Sequence, residues 1–194
     1  MKLAGKSNNH ITGYELISST VHAQGYDEKL SVFLCSMLKY MRNEQWRGAC
    51  HAACSVMYVA LSELGYHVEL CLGEVKAKSI YFDHSWILLE DKVIDLAVAM
   101  ILMGGLPVSA PVILNTDVKT GKKCTFQYGT YRSGLDRETE AVRNMPFTEY
   151  MDNYPKFKNG LWEVLAQVLP GKVDIEVLRE KYKDVKRHYI CYEA

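Results

Sequence analysis

Two adjoining stretches decide the fold: Gln45-Trp46-Arg47-Gly48-Ala49-Cys50, and the apolar segment that runs on from Cys50 to Leu64-Gly65. Apolar residues recur in this segment at three- and four-residue steps, at Ala53, Cys54, Met57, Tyr58 and Leu61. That period is typical of a helix with one buried face. Gly65 readily adopts the left-handed conformation that closes a helix. The sequence therefore predicts a helix that begins near Cys50 and ends at Leu64.

Three β-strands are predicted after this helix. Residues 67–75 largely alternate apolar with mixed residues, and 76–79 have the character of a turn. The second strand is Ser85-Trp86-Ile87-Leu88-Leu89, and the third is Val93-Ile94-Asp95-Leu96. On this reading His84 opens the second strand and Asp95 lies on the third. Antiparallel pairing of these strands would bring the two side chains into contact.

Cys50, His84 and Asp95 are the candidate catalytic residues. A cysteine in the first turn of a helix lies beside unsatisfied backbone N–H groups and the positive end of the helix dipole. Such a thiol ionises more easily, and the thiolate is the nucleophilic form. An imidazole next to it can move protons, and a carboxylate can orient that imidazole. Taken singly, each residue fits ordinary core packing or a turn, so the hypothesis depends on the combination.

Two alternatives concern the same residues. Cys54 is a rival nucleophile because it falls one turn after Cys50 on the same helical face, although it lies deeper in the helix. Alternatively, Cys50 and Cys54 with His51 and His84 form a zinc site, but the Cys-His-x-x-Cys spacing is unlike a usual zinc motif. We therefore expect Cys50 as the nucleophile and predict neither a metal nor a cofactor.

The set Gly48-x-Cys50, His84-Ser85-Trp86 and Ile94-Asp95-Leu96 resembles the core signature of the transglutaminase-like cysteine-enzyme superfamily, which has a papain-like fold. Arg47-Gly48-x-Cys50 with Asp83-His84 is also similar to the arylamine N-acetyltransferases. The resemblance covers about residues 45–96. Tyr66-His67-Val68-Glu69 departs from the Ile-Pro-Ala-Arg-like sequence that often follows the helix in this superfamily.

This resemblance implies an α+β fold in which the cysteine-bearing helix packs on an antiparallel sheet that carries the histidine and the aspartate. It implies Cys50 as nucleophile, His84 as general base and acid, and Asp95 as the residue that orients His84. The backbone N–H of Cys50 would help to hold the oxyanion, and Gln45 or Trp46 is a possible second donor. The expected activity is acyl transfer from an amide, peptide or other acyl substrate to water or to an amine. A catalytically inactive protein-binding domain is the alternative.

Composition sets broader limits. The chain has 194 residues, of which 48% are hydrophobic and 24% charged, as expected of one globular domain. We expect a single domain over residues 1–194, with the catalytic core at about 27–96 and an elaboration at about 97–194 that shapes the substrate site. Lys+Arg and Asp+Glu both number 23, which argues against a broad nucleic-acid surface. The sequence does not indicate an oligomeric state.

The compartment is predicted from the cysteines and the apolar runs. Six scattered cysteines within apolar stretches are expected to be free thiols, and no run approaches the length needed to span a membrane. Because Met1 to Lys6 lack the apolar core of a secretory signal, we expect a cytoplasmic protein without membrane attachment.

Other segments carry local signals. A helix over 27–42 is predicted with Asp27 as its cap. Two more helices are predicted, one that contains Trp162 and ends before Pro170-Gly171, and one that Asp174 caps. Residues 118–131 are expected to form a hairpin with Thr120-Gly121-Lys122 at its tip. The charged segment 134–145 is expected to be a solvated helix or loop. Residues 188–192 are expected to form a final strand, and 96–103 a strand or short buried helix ended by Gly104-Gly105.

Overall fold

The computed structural model describes residues 13–100 and 109–192. Within these ranges lie seven α-helices and eight β-strands. The helices are α1 (Gly13–Ala23), α2 (Glu28–Asn43), α3 (Cys50–Glu63), α4 (Arg137–Asn144), α5 (Phe147–Asp152), α6 (Leu161–Val168) and α7 (Ile175–Lys181). The strands are β1 (Val68–Ala77), β2 (Ile80–Leu89), β3 (Lys92–Asp95), β4 (Val112–Ile113), β5 (Thr116–Asp117), β6 (Lys122–Lys123), β7 (Gln127–Thr130) and β8 (His188–Tyr189).

The predicted helices are confirmed with small changes at their ends. Asp27 caps α2 by accepting a hydrogen bond from the backbone N–H of Leu30. Helix α3 begins at Cys50, and Gly65 follows its end with a φ of 92°. Asp174 caps α7 through the N–H of Val177. The charged segment after residue 134 contains α4, which Asp136 caps.

One sheet contains all eight strands, in the order β6-β5-β4-β3-β2-β1-β7, with β8 also paired to β1. Every pair is antiparallel except β1–β8, which is parallel. The fold is therefore α+β, as predicted, with α3 packed against β1 and β2. The predicted catalytic core of residues 27–96 contains only β1 to β3 of this sheet, because β4 to β8 come from residues 112–189.

The start of the second strand was predicted wrongly. β2 begins at Ile80, four residues before His84, and His84 lies opposite Gly73 in the middle of the ladder. The turn that precedes β2 is short, and Lys78 takes a positive φ of 57° in it. Tyr81 to Asp83 do not show a clear alternation of apolar and polar residues, but their backbones pair with β1 regardless.

The predicted hairpin over residues 118–131 is also partly wrong. β5 and β6 do pair across a tip that contains Gly121. The return segment, β7, leaves this hairpin and pairs with β1 at Glu74, Val75 and Lys76. β8 pairs with β1 at Cys71 and Leu72, beside the part that β7 covers. The edge of β1 that does not pair with β2 is therefore covered by two strands, the antiparallel β7 and the parallel β8.

The hydrophobic core has two parts. The larger packs the helices against Leu70, Ile87 and Ile94 of the sheet. The smaller contains Cys71, Val75, Trp86, Val93, Val98 and Val112, with Tyr128 and Ile190 packed on it. Residues 97–100 form a short 3₁₀-helix, whereas the predictions for 101–103, Gly104-Gly105 and the N-terminal residues lie outside the described ranges. None of the described helices is long and apolar enough to cross a membrane.

Candidate active site

Cys50, His84 and Asp95 come from three neighbouring elements at one side of the sheet. Cys50 is the first residue of α3, His84 lies in β2, and Asp95 ends β3. Cys50 and His84 both line a cleft of about 750 Å³. Cys50 is 9% exposed and His84 2% exposed, whereas Asp95 is fully buried. The cleft therefore gives access to the thiol and the imidazole, while the carboxylate lies behind them.

The predicted contact between His84 and Asp95 is present. His84 Nε2 lies 3.0 Å from both carboxylate oxygens of Asp95. Burial lowers the pKa of His84. Asp95 and Cys50 raise it by more, through their charges and through a side-chain hydrogen bond to each, so that the pKa of His84 is about 10. The rings of Phe82 and His84 pack edge to face, with their centroids 5.4 Å apart. Because Nε2 is bound to Asp95, Nδ1 is the ring nitrogen left for Cys50.

Asp95 is held by two further donors. The Tyr128 hydroxyl donates to Oδ2 at 2.9 Å, and the backbone N–H of Val98 donates to Oδ1 at 2.9 Å. Burial and the charge of Asp95 raise the pKa of Tyr128 well above its ordinary value, so this hydroxyl keeps its proton. Three donors, one of them the His84 imidazole, therefore hold this fully buried carboxylate in place. Sequence reasoning missed Tyr128, because the pairing of β7 with β1 has no local signal.

The rival nucleophile Cys54 is in a different environment. It is fully buried, and its thiol donates to the backbone oxygen of Ser85 at 3.2 Å. Burial, with smaller effects of Asp95 and Cys50, raises the pKa of the Cys54 thiol well above its ordinary value. A thiol of this kind is unreactive. Of these two cysteines, only Cys50 lines the cleft.

The proposed zinc ligands do not converge. His51 makes its ring contacts with hydroxyl groups: Nδ1 lies 2.7 Å from Ser85 Oγ and Nε2 lies 3.4 Å from Thr139 Oγ1. No group of three or more His, Cys, Asp or Glu side chains within residues 13–100 and 109–192 has an arrangement that could hold a metal ion. These contacts give His51 a structural place between α3, β2 and α4.

His51 is a second histidine in the cleft wall, next to Cys50 in the chain. Burial lowers the pKa of His51 to about 4, and the nearby charges of His84 and Arg187 add to this effect, against a smaller opposing effect of Asp136. It is therefore neutral at physiological pH and can donate from only one of its two ring nitrogens.

Residues 132–139 form the wall of the cleft opposite the sheet. Glu74 of β1, only 4% exposed, accepts hydrogen bonds from the backbone N–H of Arg132 at 2.6 Å and from Ser133. Asp83 of β2 accepts from the backbone N–H of Asp136 at 2.6 Å. Burial raises the pKa of Asp83. Two sheet carboxylates therefore fix the segment that leads into α4, and the predicted solvated segment is a wall of the site.

The candidates for a second oxyanion donor do not reach the cleft. The Trp46 indole N–H donates to the Tyr154 hydroxyl at 2.7 Å, and the ring is buried between Tyr40 and Tyr154. Gln45, with a φ of 50°, lies in the turn before α3, and neither residue lines the cleft. The amide N–H of Cys50 lies at the start of α3, where backbone N–H groups have no intrahelical acceptor.

Comparison of the chain with models of protein families, with curated proteins and with solved structures finds no match.

Proposed function

We propose that this chain is a thiol-dependent acyl-transfer enzyme of transglutaminase-like type, with Cys50 as nucleophile, His84 as general acid and base, and Asp95 as the residue that holds His84. One observation carries the proposal: a buried imidazole lies 3.0 Å from a buried carboxylate, with its pKa raised by that carboxylate and by the Cys50 sulfur at the wall of an open cleft. A raised imidazole pKa favours a thiolate–imidazolium pair, the reactive form of a cysteine nucleophile.

The reaction would begin when the Cys50 thiolate attacks the carbonyl carbon of an amide or other acyl donor. The new C–S bond gives a tetrahedral oxyanion, which the amide N–H of Cys50 can stabilise. His84 then donates its proton to the leaving amine as the C–N bond breaks, and a thioester on Cys50 remains. In the second half, His84 takes a proton from water or from an acceptor amine as it attacks the thioester, and collapse of the second tetrahedral intermediate breaks the C–S bond and returns Cys50 as the thiolate beside the His84 imidazolium.

Asp95 contributes by keeping the imidazolium stable and its ring fixed. Its three hydrogen-bond donors, His84, Tyr128 and the backbone of Val98, leave it little freedom to turn away. An orienting carboxylate of this kind commonly changes rates by orders of magnitude without touching the substrate. This support is what a cysteine enzyme needs, whereas an inactive protein-binding domain would have no use for a buried, charged pair behind an accessible thiol.

The test is alkylation of Cys50 by iodoacetamide at pH 6, followed site by site with mass spectrometry in the wild type and in His84→Gln. Cys50 should react at least about tenfold faster than the half-buried Cys35 on α2, because only Cys50 has an imidazolium partner. His84→Gln should remove this advantage. Slow and equal reaction of all the thiols in the wild type would refute the proposal.

A second experiment addresses the chemistry itself. Wild type and Cys50→Ser are incubated with a peptide library of amide donors, with and without a primary amine, and the products are analysed by mass spectrometry. Replacement of ammonia by water, peptide cleavage, or replacement of the leaving amine by the added amine should appear only with the wild type. Cys54→Ser is the matched control, because this cysteine lies one turn along α3 and should leave the reaction intact.

A further inference from the structure

The outer edge of β2 is open where the strand borders the cleft. β2 pairs with β1 over its whole length, whereas β3 pairs with β2 only at residues 87–89. Among the described residues, no strand pairs with the other side of residues 80–86. Residues 81–84 line the cleft that also contains the candidate thiol. The outer side of β2 from Tyr81 to Asp83, here called the open edge, is therefore part of the candidate site.

The alternation of hydrogen bonds along a strand decides which main-chain groups face the open edge. Successive residues of an antiparallel strand direct their N–H and C=O groups to opposite neighbours. Ile80 closes the two-residue turn after β1, so its N–H and C=O bond to β1. Ser85 directs its C=O the other way, because the Cys54 thiol donates to it from α3. Tyr81 and Asp83 alternate in step with Ser85, so the N–H and C=O groups of both face the open edge.

These outward main-chain groups of Tyr81 and Asp83 have no hydrogen-bond partner in the part of the chain that the structure describes. Both residues are only half-buried, so the edge is accessible. The Asp83 carboxylate accepts from the N–H of Asp136 and so points to the opposite wall of the cleft rather than over the edge. An unpaired row of N–H and C=O groups is a template for another strand, and proteins usually cover such an edge or protect it with charge. This one lies uncovered beside a candidate nucleophile.

The open edge ends next to Cys50. Cys54, which bonds to Ser85, lies one turn after Cys50 on α3, about 6 Å along the helix axis. The step back along β2 from Ser85 to Asp83 is similar, about 7 Å. His84, between these two residues, has a side-chain hydrogen bond to Cys50. A chain that lies along the open edge would therefore reach the thiol.

We propose that the acyl donor of this site is an extended polypeptide that adds a strand to the open edge of β2. The proposal rests on the proposed function, because the bound chain would present its scissile carbonyl to the Cys50 thiolate. Its main chain would exchange hydrogen bonds with the N–H and C=O groups of Tyr81 and Asp83, which give affinity that depends little on the peptide's side chains. Donors and acceptors that repeat about every 7 Å match another extended main chain better than a compact acyl molecule. The cleft, of about 750 Å³, has the size of a ligand site.

The test compares the alkylation of Cys50 by two chloromethyl ketones, acetyl-tetra-alanine chloromethyl ketone and chloroacetone. Site-resolved mass spectrometry gives both rates at low probe concentration, and each rate is divided by that probe's rate with free cysteine. The peptide gain is the ratio of the two corrected rates. In the wild type it should be at least about tenfold, because main-chain hydrogen bonds hold the tetra-alanine probe at the open edge.

N-methylation of the probe separates strand pairing from general affinity. In a bound strand only alternate amides face the protein, so methylation of the first and third alanine nitrogens and methylation of the second and fourth should have different effects. One pattern should abolish the peptide gain, and the other should keep at least about half of it. Equal loss with both patterns, or no peptide gain with the unmethylated probe, would overturn the proposal.

Tyr81→Pro tests the protein side of the same contact. Proline removes the outward N–H without removing a bond to β1, and an edge position tolerates it. The peptide gain should fall about tenfold in this variant. Tyr81→Ala is the matched control, because it removes the same side chain but keeps the N–H, and it should retain the gain. An unchanged gain in Tyr81→Pro would overturn the proposal; if this variant fails to fold, the methylated probes decide.

The chloroacetone rate distinguishes the two proposals. If Cys50 reacts with chloroacetone much faster than the half-buried Cys35 but shows no peptide gain, the open edge is not the binding site and the proposed chemistry of Cys50 stands. If Cys50 reacts with chloroacetone no faster than Cys35, the proposed function fails and the polypeptide donor fails with it.

Discussion

The sheet side and the helix side of the cleft each hold a histidine, and their surroundings shift the pKa values of the two rings in opposite directions. On the sheet side, Asp95 and Cys50 outweigh burial and raise the pKa of His84 to about 10. On the helix side, the ring nitrogens of His51 contact hydroxyl groups, and burial, with smaller effects of the charges of His84 and Arg187, lowers the pKa of His51 to about 4. The partner rather than the depth of burial therefore decides which imidazole is charged.

This difference is useful for a thiol site. A single imidazolium stabilises the thiolate and supplies a proton, and a second one in the same cleft would repel it; the charge of His84 already contributes to the lowered pKa of His51. His51 instead contacts Ser85 in β2 and Thr139 in α4, so it ties the helix side to the sheet without adding charge.

The largest expected effect comes from Asp95→Asn, which removes the carboxylate from the sheet side. The amide cannot stabilise an imidazolium, so the rate of Cys50 alkylation at pH 6 should fall by about 100-fold or more, by analogy with other orienting carboxylates. Site-resolved mass spectrometry measures this rate. Asp83→Asn is the matched control, because Asp83 lies on the cleft rim and bonds only the opposite wall; a rate within about threefold of wild type is expected there. Equal losses in the two variants would contradict the assignment.

Thr139→Asp would give the helix side a carboxylate next to His51 Nε2. The new charge should raise the pKa of His51 from about 4 toward its ordinary 6.5, because an opposite charge favours the imidazolium. An NMR titration of the histidine ring protons measures this change. Thr139→Asn has nearly the same shape without the charge and should leave the pKa of His51 near that of the wild type. A pKa unchanged by the aspartate would show that burial alone controls this ring.

The free energy of unfolding should depend on pH through both His51 and His84. For His51 the folded state binds protons less readily than the unfolded state, so stability falls as pH drops from 6.5 to about 4. For His84 the opposite holds: its stabilisation is complete below pH 6.5 and is lost as pH rises toward 10. His51→Asn should remove an acid-side loss of order 2 kcal/mol, measured by urea unfolding at pH 4.5 and 6.5. The same acid-side slope in the variant would exclude His51 as its source.

Tyr128→Phe should have the smallest effect, because it removes one of three donors to Asp95 and keeps the ring. We expect a loss of about 1 kcal/mol in the free energy of unfolding and a fall in Cys50 alkylation of a few-fold. Tyr81→Phe, at the cleft wall but without a described hydrogen bond to Asp95, is the control and should change neither quantity. Full wild-type behaviour of Tyr128→Phe would mean that Val98 and His84 are enough to hold Asp95.

Local signals were enough for the helices and for the order of the three candidate residues. Helix α3, its start at Cys50 and its end before Gly65 follow from periodicity and end residues, which act over a few positions. The contact of His84 with Asp95 followed from pairing of consecutive strands. The start of β2 was missed because pairing with β1, rather than a side-chain pattern, makes residues 80–83 a strand.

Longer-range features had no such signal. Tyr128 reaches Asp95 only because β7 leaves its predicted hairpin and pairs with β1. Glu74 and Asp83 hold the cleft wall by accepting hydrogen bonds from backbone N–H groups. Because every residue except proline has such a group, the sequence does not indicate which residues these carboxylates bind. The burial of Arg187 was also missed, because arginine is usually exposed and no local pattern predicts that this one is buried.

The shared edge of β1 has a consequence for the order of folding. The β1–β2 hairpin joins neighbouring residues and can form early, whereas β7 and β8 reach the same edge only after long loops have closed. We therefore expect Cys50, His84 and Asp95 to come together in folding before Tyr128 reaches the carboxylate. Late docking of β7 would then be the step that fixes the position of Asp95 behind His84.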